Sequence, residues 1–207
     1  MKKISKNNTI KNQKLHSSGF TLVEVLIALT IFSIAVAGVI TVSVQGNLNI
    51  HSARNKMVAN YLADEGVELM RALRDTAVVN AGVGSESTVG WPAFTAMTAS
   101  VCTATAPCDI DATNYANSDP YPSASNILNC TTVSSDGFCP IYYIPAHGYY
   151  TSMIAGFPGT PQTAFSRNIM LIPINADEMR IVVTVHWMEG TVQKTVEQVE
   201  SVYNWYI

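Results

Sequence analysis

Residues 20–44 read FTLVEVLIALTIFSIAVAGVITVSV, and no other stretch limits the chain's possible folds as strongly. As a helix this run reaches about 37 Å, and a bilayer core requires roughly 20 such residues. Fifteen of its side chains are Val, Ile, Leu or Phe, and one, Glu24, is charged. Together the fifteen contribute about −4 to −9 kcal/mol to insertion, against about +3 for a single acid at mid-membrane. Insertion wins in spite of Glu24. The chain is therefore predicted to cross a membrane once, and the residues after 44 must build their own core.

The flanks supply an orientation. The first 19 residues hold Lys2, Lys3, Lys6, Lys11 and Lys14 and no acid, leaving seven of the twelve basic residues and all fifteen acids to the rest of the chain. A lysine-rich leader is expected to stay in the cytoplasm and send the C-terminal domain across the membrane. No second basic cluster exists, so nucleic acid is not an expected partner. Ala35-Val36-Ala37 offers a rival reading, a secretory signal peptide whose removal would release a domain starting at Gly38. An acid inside the hydrophobic region, and an apolar stretch continuing over residues 38–44, count against it.

An acid within a membrane segment needs a reason, either a place at the membrane edge or a function. Residues 18–26 read SGFTLVEVL; Gly19 separates the polar leader from the apolar run, and Glu24 lies five residues beyond. This string resembles the type IV prepilin motif of pilins, minor pilins and type II secretion pseudopilins. The resemblance implies that prepilin peptidase cuts between Gly19 and Phe20 and that Phe20 becomes N-methylated. It also implies that Phe20 and Glu24 serve filament assembly. A glycine before the cut presents no side chain to a narrow protease cleft. An amine on Phe20 and a carboxylate on Glu24 are each costly in a low dielectric, and pairing them between two subunits relieves both. The implied partners are the peptidase, other pilin or pseudopilin subunits and membrane lipid, with no cofactor. The implied location is the cytoplasmic membrane, then a periplasmic or cell-surface filament. Major type IV pilins usually carry a proline in the membrane half of this helix. The first proline here is Pro92, which favours a minor pilin or a pseudopilin. A membrane-anchored surface binding protein that never polymerises is the alternative.

Beyond the membrane run an amphipathic stripe continues through Ile50, Ala53, Met57, Tyr61, Leu62, Leu69, Met70 and Leu73. Gly46 and Asn47 are the expected place for a bend, because glycine weakens a helix. The chain divides into a leader (1–19), a membrane half-helix (20–44) and an amphipathic half-helix (45–76). A loop-rich cysteine region (77–163) and an antiparallel sheet (164–207) complete it. Residues 78–90 read as a loop, and residues 91–162 as turns and short strands. Near the C-terminus, alternating Ile181, Val183, Val185 and Trp187 point to a strand with one buried face. It is preceded by a strand over residues 165–173 and a turn at Asn175-Ala176-Asp177, and followed by a strand from Thr191. The expected class is α+β, a long helix packed on an antiparallel meander as in pilin-like heads.

Cys102, Cys108, Cys130 and Cys139 lack the C-x-x-C pairs of a zinc site and suit a disulfide framework in an exported domain. Three pairings exist. Short loops close most readily, favouring Cys102–Cys108 and Cys130–Cys139, with strand geometry the competing determinant. No catalytic constellation emerges. The histidines fit no metal-protease spacing, and nucleophile-elbow, phosphate-loop and dinucleotide motifs are absent. Asp109, Asp111, Asn114, Asn117 and Asp119 form an oxygen-rich stretch without the glycine and terminal glutamate of an EF-hand, and read as a solvated loop. The chain is expected to be structural and to bind no metal.

Overall fold

The computed structural model describes residues 19–111, 126–152 and 159–204. Helix α1, Leu22–Ala81, contributes to two compact units, Met1–Asn49 and Ile50–Ile207. In the first unit the helix is long and apolar enough to cross a membrane. Its large side chains stand exposed, Leu22 at 76% and Ile34 at 75%, unlike those of a core helix in a soluble domain. Three hydroxyls within it are satisfied by backbone carbonyls one turn earlier. Thr30 donates to the Ile27 carbonyl at 2.8 Å, Ser33 to Leu29 at 2.7 Å and Thr41 to Ala37 at 2.9 Å. No hydroxyl of these three therefore meets lipid as an unpaired donor. Gly46 and Asn47, the expected bend, lie in helical backbone. The cost of about 1 kcal/mol for one glycine is too small to break a helix held on both sides.

In the second unit α1 buries Leu62, Val67, Met70 and Leu73 at helical spacing against an antiparallel sheet. Ile50, Ala53 and Met57, expected on the same stripe, stand exposed instead, because the buried face of α1 begins only at Ala59; Tyr61 is exposed as well. The long strands are β5, Gln162–Asn175, β6, Glu178–Glu189, and β7, Val192–Tyr203. They form the expected meander, with Ala176-Asp177 turning between β5 and β6. Ile169 on β5 and Ile181, Val183 and Val185 on β6 are fully buried and face the helix. Burying each such side chain contributes about 1.5–3 kcal/mol.

The sheet is larger than three strands. The far edge of β5 also pairs with β1, Cys108–Ile110, near Ile169, and with β3, Cys139–Ile144, near Arg167. Beyond them lie β2, Ile127–Asn129, and β4, Tyr149–Thr151, making seven antiparallel strands among the described residues. Pro145-Ala146-His147-Gly148 turns between β3 and β4, which pair as a hairpin.

Residues 78–90 depart from the expected loop. Helix α1 runs to Ala81, a turn follows, and a π-helical turn, Glu86–Gly90, leads into α2, Trp91–Ala99. Pro92 sits in the first turn of α2, where its missing N–H costs nothing. A Cβ on Gly90 would lie 2.6 Å from the Val78 Cα, so only glycine lets this turn close against the end of α1. Trp91 then reaches the β5–β6 turn, its Nε1 donating to the Ala176 carbonyl at 2.9 Å.

The cysteines pair as Cys102–Cys108 and Cys130–Cys139, with Cα separations of 4.4 and 4.7 Å. The first bridge joins the end of the α2 region to β1. It helps hold Cys102 at φ 65°, while the Cys102 carbonyl accepts the Leu171 N–H at 2.7 Å. Loops this short contribute about 2–3 kcal/mol each by constraining the unfolded chain.

Candidate functional site

Two arrangements of polar groups stand apart from the packing, one in each unit. In the first unit, Gly19, Phe20 and Thr21 are non-helical and α1 begins at Leu22. The Thr21 hydroxyl accepts the Glu24 N–H at 3.2 Å, and the Thr21 carbonyl accepts the Val25 N–H at 3.2 Å. Thr21 is thus the N-cap and Glu24 the N3 residue of a T-x-x-E capping sequence. A carboxylate at N3 also meets the positive end of the helix dipole. Both the Phe20 ring and the Glu24 side chain are exposed. The structure brings Gly19, Phe20 and Glu24 together at the start of one helix.

The second lies inside the head. Arg167 on β5 is 3% exposed, and every nitrogen of its guanidinium is used. Nε donates to Asp109 Oδ1 at 2.6 Å; one terminal nitrogen donates to the Leu62 carbonyl at 2.8 Å and to Glu65 Oε2 at 3.0 Å; the other donates to the Ile110 carbonyl at 3.1 Å. Asp109 is fully buried, and its Oδ1 also accepts the Ile110 N–H at 2.9 Å. Burial pushes the Asp109 carboxyl up, against the pull of the Arg167 guanidinium. It pushes Glu65 up in the same way. Burial disfavours the Arg167 charge, yet the Asp109 and Glu65 carboxylates outweigh it and hold the guanidinium protonated. One cation thus ties α1, β1 and β5 together. Asp111 next door accepts the Thr151 hydroxyl and the Ser152 N–H, the latter at 2.9 Å.

This ion centre corrects the expectation that Asp109 and Asp111 belong to a solvated loop. Both are buried, and their carboxylates serve Arg167, Thr151 and Ser152. Asn114, Asn117 and Asp119 lie outside the described residues. The available signal was Arg167 itself, which shares the inward parity of Phe165, Ile169 and Leu171; an inward cation requires a buried partner. Among the described residues no cluster of three His, Cys, Asp or Glu is arranged to hold a metal ion.

Two further arginines also lie in ion pairs. Arg71 pairs with Glu68 at 2.7 Å and with Glu200, and Arg74 pairs with Asp75 at 2.5 Å, along a cleft between α1 and β7. The histidines of the head are dispersed over α1 (His51), the β3–β4 turn (His147) and β6 (His186). His186 packs on Phe138 with ring centres 4.0 Å apart, and burial pushes its imidazole below the ordinary value against the opposing pull of Asp136.

Residues 14–40 match a family model described as the prokaryotic N-terminal methylation motif, the signal carried by type IV prepilin-like proteins. No curated protein and no solved structure matched the chain. The chain carries this signal directly ahead of a helix of membrane-spanning length, an arrangement consistent with membrane anchoring.

Proposed function

We propose that the chain is a structural subunit, a minor pilin or pseudopilin, of a type IV pilus or a type II secretion-like filament. The observation that carries this reading is the methylation motif at residues 14–40 running into an exposed apolar helix whose later turns seat a packed head. In this reading prepilin peptidase removes residues 1–19 and Phe20 is methylated at its new amine. The basic leader faces the cytoplasm and the head lies outside it. The two cystines support that side, since disulfides persist in oxidising compartments. The subunit then leaves the bilayer for a filament by packing residues 20–44 against those of its neighbours. Glu24 takes up the neighbouring Phe20 amine in a low-dielectric core, which fixes the axial stagger between subunits.

No catalytic role is assigned to the head. Its buried ionisable groups Arg167, Asp109 and Glu65 are engaged with one another inside the fold. The subunit acts by assembling with the peptidase's other products and with membrane lipid.

Mass spectrometry of the mature N-terminus tests this. The expected product begins at Phe20 and carries one added methyl group. An intact Met1 in the assembled protein would transfer the reading to an anchored binding protein. A start at Gly38 would make it a secreted domain.

A further inference from the structure

We infer that Thr21 is a positioning residue for leader removal: its hydroxyl fixes where α1 starts, so that the Gly19–Phe20 bond stays outside the helix. This rests on the reading that the leader is cut at that bond. Cleavage is a hydrolysis in which the C–N bond between Gly19 and Phe20 breaks. The oxygen of water ends on the Gly19 carboxylate, and the nitrogen leaves as the Phe20 ammonium. A protease must reach both faces of that peptide, and a helical peptide turns its carbonyl into the helix ladder. In the structure Gly19, Phe20 and Thr21 have no helical backbone, and helix begins at the very next residue. The boundary is marked by one side-chain bond, from the Glu24 N–H to Thr21 Oγ1 at 3.2 Å.

The neighbours of Thr21 decide the consequence of losing that bond. Residues 22–29, LVEVLIAL, contain no Ser, Thr, Asp or Asn, and the next candidate cap downstream is Thr30. Fraying towards Thr30 would leave backbone N–H groups unpaired in lipid, which the bilayer penalises heavily. Upstream, Ser17 and Ser18 are both capping residues. A helix capped at Ser18 would have Gly19 and Phe20 as its first two helical residues and would enclose the scissile bond. By sequence Ser17 and Ser18 are thus the alternative caps to Thr21, and Gly19, a poor helical residue, opposes a start at either. Removing a cap shifts such a helix-start equilibrium about fivefold, with a range of roughly two- to thirtyfold.

The experiment uses the full chain in proteoliposomes with a purified prepilin peptidase, monitoring loss of residues 1–19 by mass. Thr21→Ser and Thr21→Asn keep an acceptor oxygen in side chains of different shape, and are expected to be cut within about twofold of wild type. Thr21→Val keeps the shape without the acceptor, and Thr21→Ala removes both. These two are expected to lose about threefold in kcat/KM, the fall in the accessible fraction when an evenly balanced helix start shifts about fivefold. Replacing Ser17 and Ser18 by Ala in the Thr21→Val background removes the competing caps and is expected to restore most of the rate. Wild-type cleavage of Thr21→Val would overturn the proposal. So would a loss in Thr21→Asn as large as that in Thr21→Val, because that pattern is recognition of side-chain shape. Failure of the serine replacements to restore cleavage would overturn it as well. Failure of the leader reading itself is separately visible, because wild type would then not be cut between Gly19 and Phe20.

Discussion

Arg167 occupies an inward position of β5 between Phe165 and Ile169, where its guanidinium has no water to turn to. Its bonds to Asp109, Glu65 and two backbone carbonyls replace that water, so each partner depends on the other being present. Arg167→Met leaves Asp109 fully buried and unpaired, and is expected to lower head stability by about 3–5 kcal/mol. Replacing Asp109 by Leu in the same chain should recover a large part of that loss, measured by urea unfolding monitored through tryptophan fluorescence. Glu65 gives a separate pH test. Burial outweighs the Arg167 guanidinium there and holds the carboxyl above its ordinary 4.5. The folded head then keeps this proton to higher pH than the unfolded chain does. The stability it contributes is complete below pH 4.5 and is lost as pH rises through the elevated folded value. Glu65→Gln cannot ionise, so its stability relative to wild type should rise as pH increases from 4.5 through the elevated folded value. An unchanged difference between the two proteins across that range would contradict the assignment.

At the scale of elements, two glycines set how closely the pieces approach. A Cβ on Gly66 would stand 3.0 Å from Val183 Cγ1, so the bare backbone of α1 lies directly over β6. Glycine in a helix costs about 1 kcal/mol relative to alanine, and here that cost permits the close contact. Gly90 is the stricter case, because its nearest neighbour is backbone, the Val78 Cα at 2.6 Å. Gly90→Ala must push the turn before α2 away from α1, and with it the Trp91 anchor on the Ala176 carbonyl. The expected loss is about 1–3 kcal/mol, a fall of several degrees in Tm. Calorimetry of the full chain in detergent checks it, and an unchanged Tm would show that the turn has room. The residue composition of 78–90 suggests a loop because Gly, Ser and Val are poor helix formers. The packing of Gly90 and Trp91 against neighbouring elements overrides that local preference.

For the molecule as a whole, Glu24 distinguishes a filament subunit from a plain anchor. Glu24→Leu removes the only charge from the apolar run, and on insertion alone it should favour the membrane by about 3 kcal/mol. If Glu24 meets the Phe20 amine of a neighbour, the same change leaves that amine buried and unpaired, at about 3–5 kcal/mol wherever subunits join. The head, which begins beyond residue 49, is untouched. The expected outcome is normal processing and normal membrane level, with poor recovery in sheared filaments when wild-type partners are co-expressed. Incorporation equal to wild type would move the reading to the anchored binding protein.

Contiguous residues by themselves determined the membrane-length helix, the later part of the amphipathic stripe (Leu62, Met70 and Leu73), the β5–β6 hairpin and the short-loop cystines. Each is written in apolar periodicity, turn residues or spacing over a few tens of positions, and each forms from neighbours in the chain. The tertiary structure alone decided the width of the sheet and the charge inside it. Strands β1, β2 and β4 have three residues each, too few to show alternation, and they exist because neighbouring strands complete their hydrogen bonds. Arg167 meets Asp109 across 58 positions and Glu65 across 102. At those separations no local pattern names the partner. An inward arginine needs a carboxylate, and only the packing of α1, β1 and β5 selects which carboxylates surround it.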